Sequence, residues 1–509
     1  MSRGRTYPAA LALIVLAGAA LRFFPIWFGL PYPHARPDEE TTVGHALGIL
    51  AGDPNPHFFN WPSLTFYVLA GVFRIANAVT PAIPPAGYVI LARATIALAG
   101  TATILVLFRL AARGADRLTA LMAAGFLSVA VLHVRDSHFA MTDVLTSLLA
   151  TSSLAVLVEA LETRSIRQMA VAGLLGGLAT STKYTAAALL AAIAVALWLQ
   201  FRESRDWRAA PVVLGAFAAG FLVGTPFAAL DPRTFMADVL FERSHLSGGH
   251  AIVLGRGWSY HLRRSLPYGL GVGIFAAAAA GIVPMVRHHG RSAWVIGAFA
   301  AAFFAGIGSG LTVFFRYVLP LVPIACLLAA VAVRHGGAWL AARTHLPLAL
   351  TTGLLAATAA APSIFNSVRL DLLLGRTDTR VLAAQWLTPR LRPEDTLHDS
   401  GGNYAQLDFG RTEFHHWYFD AASRSFGDPA GRTPDWIVLT ESPLWTYAPV
   451  SEALRSLAER EYVLVRMVRG TRGPAPSAVY DLQDAFFLPV AGFADVERPG
   501  PDVRIYRRR

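Results

Sequence analysis

Apolar runs of about twenty residues recur along most of this chain. About twenty apolar residues is the length a helix needs to cross the hydrocarbon core of a bilayer. Composition agrees: of 509 residues, 54% are hydrophobic and only 15% are charged, against about 25% charged in soluble proteins. Mean hydropathy is +0.45. The chain is expected to be an integral membrane protein.

Eleven spans are read, near 8–29, 88–110, 118–134, 141–160, 168–182, 184–201, 209–229, 266–286, 292–311, 313–333 and 346–366. The connections 111–117, 162–167, 202–208, 287–291 and 334–343 are short and Arg-rich, and in this topology they share one side with Arg3 and Arg5. Short basic loops belong in the cytoplasm. The expected location is the cytoplasmic (inner) membrane, with the N-terminus inside and the C-terminal domain outside. Pro62 to Val79 is apolar enough to cross, but it carries Arg74 and Asn77 and shows helical spacing at Leu64, Tyr67, Val68 and Val72. It reads as a juxtamembrane helix on the outer surface. Were it to cross, every later Arg loop would face outward.

The net charge of +11 is distributed as these loops require. Residues 370–509 hold 17 Arg against 19 Asp and Glu, so the excess lies in residues 1–369. No basic patch clusters on a folded domain, which argues against nucleic acid. The single cysteine, Cys326, excludes an intramolecular disulfide and a cysteine-based zinc site. A cleavage site is conceivable at Ala17-Gly-Ala19, but the apolar stretch runs on from Tyr7 to Leu30, and a retained span is expected.

From about Leu370 charge rises and apolar runs shorten. Thr379 to Leu391 reads as an amphipathic helix; Trp436–Thr440, Tyr462–Arg466 and Val503–Tyr506 read as strands, with a helix near Ser451–Arg460. The expected architecture is an all-α membrane bundle of about 11 helices over residues 1–369, then a small α/β domain over 370–509.

Chemistry-bearing residues gather in three outer connections. The first holds His34, Asp38, Glu39, Glu40, His45, Asp53 and His57; the second holds Arg135, Asp136 and Asp143; the third is Ser181-Thr-Lys183-Tyr184. Lys183 is the only lysine beside 43 arginines. A compact ammonium differs from a planar guanidinium, so this lysine is assigned a phosphate oxygen near the membrane surface. The alternative is an interfacial charge that snorkels to headgroups. Asp38 reads equally as a catalytic carboxylate or as the N-cap of a following helix, and Asp143 as a site acid or a cap. The histidines lack the tight spacing of metal ligands.

The order of these features resembles the GT-C superfamily of polyprenyl-phosphate-sugar-dependent glycosyltransferases, and within it glycosyltransferase family 39. That family includes protein O-mannosyltransferases, the lipid A aminoarabinose transferase and lipopolysaccharide galacturonosyltransferases. The matching pieces are His34-Ala-Arg-Pro-Asp-Glu39, Asn60-Trp-Pro-Ser-Leu64, Arg93, Ala140-Met-Thr-Asp143, Gly177–Tyr184 and Phe315-Arg-Tyr-Val-Leu-Pro320. The resemblance covers residues 1 to about 335. It implies that Asp38, with Glu39 beside it, activates or orients the acceptor, and that Asp143 is a second outer-face acid near the acceptor or sugar. It also implies that Lys183 contacts the lipid phosphate, with Arg93 and Arg316 as further contacts. His34, His57, Arg135, Asp136 and Tyr184 are the expected surroundings of acceptor and sugar. The expected partners are a polyprenyl-phosphate-sugar donor, membrane lipids and a lipid, glycan or protein acceptor. Oligosaccharyltransferases of the superfamily bind a divalent ion through an Asp-x-Asp-like pair. Asp38-Glu39 lacks that spacing, so metal dependence is not carried over, although the acidic cluster leaves room for an ion. A transporter or flippase would favour charges near mid-membrane, whereas these lie at span ends. A non-catalytic envelope scaffold is the other rival.

Overall fold

The computed structural model describes the chain except residues 1–2, 33, 81, 403, 429–430 and 474–476, and except the side chains of 3–6. The side chains of Arg3 and Arg5 therefore lie outside the described residues. The fold is mostly helical, with a small sheet near the C-terminus.

Among the described residues, six helices are long and apolar enough to cross a membrane: Pro85–Gly114, Thr142–Thr163, Tyr184–Ser204, Gly290–Ser309, Phe315–Thr344 and Leu348–Arg390. A seventh is added if Gly257–Leu270 and Val272–His288, bent by 118°, form one span. Four further apolar helices among the described residues are shorter, Tyr7–Phe23, Leu64–Val79, Arg117–Val129 and Ala209–Gly224, and local features set some of their ends. The first apolar stretch stops as a helix at Phe23, because the residue before Pro25 is driven out of the helical region. The stretch near 118–134 breaks at Ala130, whose ψ of 113° is extended. After the break the stretch continues as the short helix Val131–Asp136. The Ala209–Gly224 helix ends just before Thr225-Pro226. Leu64–Val79 is a helix with one buried side, Thr65, Phe66, Leu69, Ala70 and Phe73.

The chain divides into two compact units. The first, Met1–Ile26 with Thr41–Val368, is the helical one. Its helices Ile166–Thr180 and Ala209–Gly224 approach through glycine: a Cβ on Gly173 would stand 2.3 Å from Val213 O, and one on Gly177 2.0 Å from Phe217 O. This is small-residue packing at four-residue spacing. The buried Arg22 guanidinium closes another junction, donating to Leu127 O at 2.9 Å and Ser128 O at 3.0 Å. Those carbonyls end the Arg117–Val129 helix, where a cation is favoured.

The second unit, Trp27–Glu40 with Arg369–Arg509, holds a five-stranded sheet. Its strands are β1 Thr396–Asp399, β2 His415–His416, β3 Trp436–Glu441, β4 Tyr462–Val468 and β5 Asp502–Arg508, in the order β2-β1-β3-β5-β4. β1 runs parallel to β2 and β3, whereas β5 runs antiparallel to β3 and β4. Alternate residues of β3 enter separate cores: Trp436 and Val438 meet Leu387, Val503 and Ile505, while Ile437 and Leu439 meet Leu454, Ala458 and Tyr506. A continuous apolar run marks a strand covered on both faces. The helix read over Thr379–Leu391 ends at Leu387 and gives way to a 3-10 turn that contains Pro389.

Trp27–Glu40, which the division at 369/370 assigned to the membrane part, packs instead with the residues after 369. Arg36 and Asp484 pair at 2.8 Å with side chains 0% and 2% exposed. Tyr32 donates to Gln406 O at 2.8 Å, and the Arg380 guanidinium lies 4.3 Å above the Tyr32 ring.

Candidate active site

In the first unit, three local structures deliver residues to one cavity of about 230 Å³. Asp143 is the second residue of the Thr142–Thr163 helix. Lys183 sits in the turn after the Ile166–Thr180 helix, just before the 3-10 segment Tyr184–Ala188. Arg316 and Tyr317 lie on the 3-10 segment Phe315–Leu321. Polar ties hold these turns together. Thr146 and Thr182 hydroxyls meet at 2.7 Å, Ser181 and Thr225 hydroxyls meet at 2.7 Å, and Leu64 N donates to Ser181 O at 3.0 Å. The last bond brings Asn60, Trp61 and Pro62 to the cavity wall.

The Lys183 ammonium donates to Asp143 Oδ1 at 2.5 Å and lies 4.4 Å from the Tyr317 ring centroid. Asp143 is buried, and its Oδ2 has no hydrogen-bond partner among the described residues. Asp143 is thus not the N-cap, a position that Met141 takes. Its carboxylate still benefits from the positive end of the helix. Arg316, buried, stacks 4.1 Å from the Phe314 ring and lines the cavity. Tyr184 also lines it and donates to Phe59 O at 2.7 Å. With Glu242 and Arg243, the wall therefore carries an ammonium, two guanidiniums, two carboxylates and two phenol rings.

Sequence reasoning missed part of this wall. Val239, Glu242, Arg243 and Leu246 come from the helix Pro232–Gly248. Its start signal was present: Asp231 as N-cap, accepting from Thr234 N, with Pro232 at the first helical position.

Other expected residues lie elsewhere. Arg93 is buried, donates to Ile26 O at 2.8 Å and is not on the cavity wall. Arg135 and Asp136 are buried and pair with each other at 3.3 Å, off that wall. His57 is largely exposed and lies 3.3 Å from Asp53.

Asp38, Glu39 and His34 belong to the second unit. Asp38 precedes the helix Glu39–Leu50 with a φ of 67°. An N-cap residue is ordinarily extended, so the backbone departs from the capping reading. A non-glycine residue in this region is uncommon, although Asp is enriched among those found there. His34 is 3.9 Å from Glu40 and edge-on to the rings of Tyr32 and Tyr404. Tyr404 donates to Glu40 at 3.3 Å. Burial pushes the Tyr404 phenol well above its ordinary value, and the negative charges of Glu40 and Asp38 push it further. Among the described residues no group of three or more His, Cys, Asp or Glu is arranged to hold a metal ion.

The fold is similar to that of solved membrane glycosyltransferases of the GT-C type. Residues 63–229, a stretch that contains Asp143 and Lys183, match the family model described as dolichyl-phosphate-mannose-protein mannosyltransferase. Two solved structures share the fold. ArnT from Cupriavidus metallidurans, bound to undecaprenyl phosphate, is 16% identical with TM-score 0.52, covering 92% of this chain and 97% of that one. The archaeal oligosaccharyltransferase AglB from Archaeoglobus fulgidus, in complex with an inhibitory peptide and a dolichol-phosphate, is 12% identical with TM-score 0.53, covering 99% and 89%. Against the apo form of the Archaeoglobus fulgidus oligosaccharyltransferase this chain spans 58% of that chain's length, at 13% identity and TM-score 0.49. No curated protein sequence matches the chain.

Proposed function

We propose that this protein is a membrane glycosyltransferase that moves a sugar from a polyprenyl-phosphate donor to an envelope acceptor at the outer face of the cytoplasmic membrane. The observation that carries this reading is the Lys183–Asp143 pair on the wall of a cavity that also holds Arg316. Similarity of fold to proteins whose structures contain undecaprenyl phosphate and a dolichol-phosphate supports the choice of donor.

In the reaction a bond forms between an acceptor oxygen and the anomeric carbon, and the bond from that carbon to the phosphate oxygen breaks. Positive charge builds on the sugar and negative charge on the departing phosphate. Lys183 and Arg316 are suited to the phosphate, since fixed cations stabilise charge where it develops. Asp143 holds the lysine in place. Asp38 takes the acceptor proton, an assignment that rests on its motif and its unusual backbone. Inversion at the anomeric carbon follows from a single displacement. The Arg-rich short loops support an inside N-terminus and an outer C-terminal domain.

The test is single-turnover transfer and donor binding in lipid nanodiscs. Asp38→Asn is expected to lower turnover about 10²–10⁴-fold with donor binding kept, the range of general-base assistance. Lys183→Ala is expected to weaken donor binding. Full turnover in a well-folded Asp38→Asn protein would remove the base from this scheme, and unaltered donor affinity in Lys183→Ala would remove the phosphate contact.

A further inference from the structure

A second cavity, of about 450 Å³, lies in the sheet-containing unit, beside the ends of β3, β4 and β5. Three guanidiniums line it, those of Arg469, Arg472 and Arg504, with Tyr480 and Met467 as its broad less polar surfaces. Two carboxylates also line it, and both are engaged. Glu441 holds Arg455 at 2.6 Å and Arg504 at 3.3 Å. Asp502 Oδ1 accepts from Gly470 N at 2.7 Å and Thr471 N at 3.2 Å, which pins the loop that carries Arg469 and Arg472. Burial pushes the Asp502 carboxyl above its ordinary value, against the two backbone N–H groups and Arg504, which favour the ionised form.

The cations keep donors to spare. A guanidinium has five N–H groups. Arg472 uses its Nε on Glu497 at 3.1 Å, and Arg504 meets Glu441 through one terminal nitrogen. Arg469, exposed just after β4, has no carboxylate partner among the described residues. Forked donors around one space match planar or tetrahedral oxyanions. The volume falls in the range of small-molecule sites, about 300–1,000 Å³, and an aromatic ring at its side suits the apolar face of a sugar.

We propose that this cavity binds an anionic sugar, its carboxylate or phosphate held by Arg469, Arg472 and Arg504 and its ring against Tyr480. The site lies outside the Asp143–Lys183 cavity and stands independently of the transferase reading. It gives the C-terminal unit a recognition task of its own.

The experiment measures binding of glucuronate, glucose 6-phosphate, inorganic phosphate and glucose to the full chain in nanodiscs by calorimetry. Glucuronate and glucose 6-phosphate are expected to bind, glucose at least about tenfold more weakly. Whichever charged sugar binds tighter identifies the anion. Arg469→Gln with Arg472→Gln, both at exposed positions, is expected to weaken the charged sugars by about tenfold or more. Lys183→Ala is expected to leave them unchanged, which separates this site from the catalytic one. Equal binding of glucose, or unchanged affinity in the Arg double variant with native circular dichroism, would overturn the proposal. Inorganic phosphate that binds as tightly as glucose 6-phosphate would overturn the role given to the sugar ring.

Discussion

Lys183 Nζ stands 2.5 Å from Asp143 Oδ1, although the two residues are 40 positions apart and belong to different turns. The side chains are 16% and 2% exposed, so neither charge is well hydrated. Removing one member of such a pair strands the other. Lys183→Met is therefore expected to lower thermal stability clearly, and Asp143→Asn added to it to restore part of the loss. A double-mutant cycle on Tm in detergent should show coupling of about 0.5–3 kcal/mol. Simple additivity would mean that the pair is not formed.

Gly177 and Gly215 make a matched comparison across the helices Ile166–Thr180 and Ala209–Gly224. A Cβ on Gly177 would meet backbone atoms of Phe217 and Phe221 at 2.0 Å and 2.7 Å, whereas one on Gly215 would meet nothing within 4 Å. Gly177→Ala is expected to destabilise by about 1–3 kcal/mol, the cost of overpacking. Gly215→Ala is expected to be neutral or slightly stabilising, because Ala favours helix over Gly. Equal melting temperatures of the two variants would contradict the close approach.

Arg36 and Asp484 tie the segment after the first helix to the C-terminal residues, with both side chains inaccessible to solvent. Asp484→Ala leaves the Arg36 charge buried without this partner. The expected loss is about 3–5 kcal/mol, seen as early unfolding of the second unit by limited proteolysis. Protection equal to wild type would show that the pair contributes little.

Asp399 supplies the pH dependence. Burial raises its carboxyl to about 7, against the accepting bonds from Leu407 N and Gly401 N that favour the ionised form. A folded-state value above the unfolded one means that the native chain binds more protons between the two. Stability from this group is thus full below about pH 4 and is lost as pH rises through about 7. Amide protection factors of the full chain, corrected for the intrinsic pH dependence of exchange, should be higher at pH 5 than at pH 7.5 across β1 and at Gly401 and Leu407. Asp399→Asn should flatten that difference, and an unchanged profile in the variant would assign the effect to another group.

The sequence by itself determined the class of molecule and most of its elements. Recurring apolar runs name a membrane protein because backbone geometry fixes how many residues a bilayer requires. Three strands were legible in part, as Trp436–Thr440, Tyr462–Arg466 and Val503–Tyr506, while Thr396–Asp399 and His415–His416, short and polar, were not. Lys183 was legible because it is the one lysine in the chain.

Partnership was a different matter. That Lys183 rests on Asp143, that Arg135 pairs with its neighbour Asp136, and that a helix from Pro232 to Gly248 walls the cavity were decided by tertiary packing. So was the docking of Trp27–Glu40 onto residues more than 300 positions later, through Tyr32 with Gln406 and Arg36 with Asp484. Periodicity and local signals record which side of an element is buried and where it starts. They do not record which distant element covers that side, because that choice depends on loop closure and on how all the surfaces fit at once.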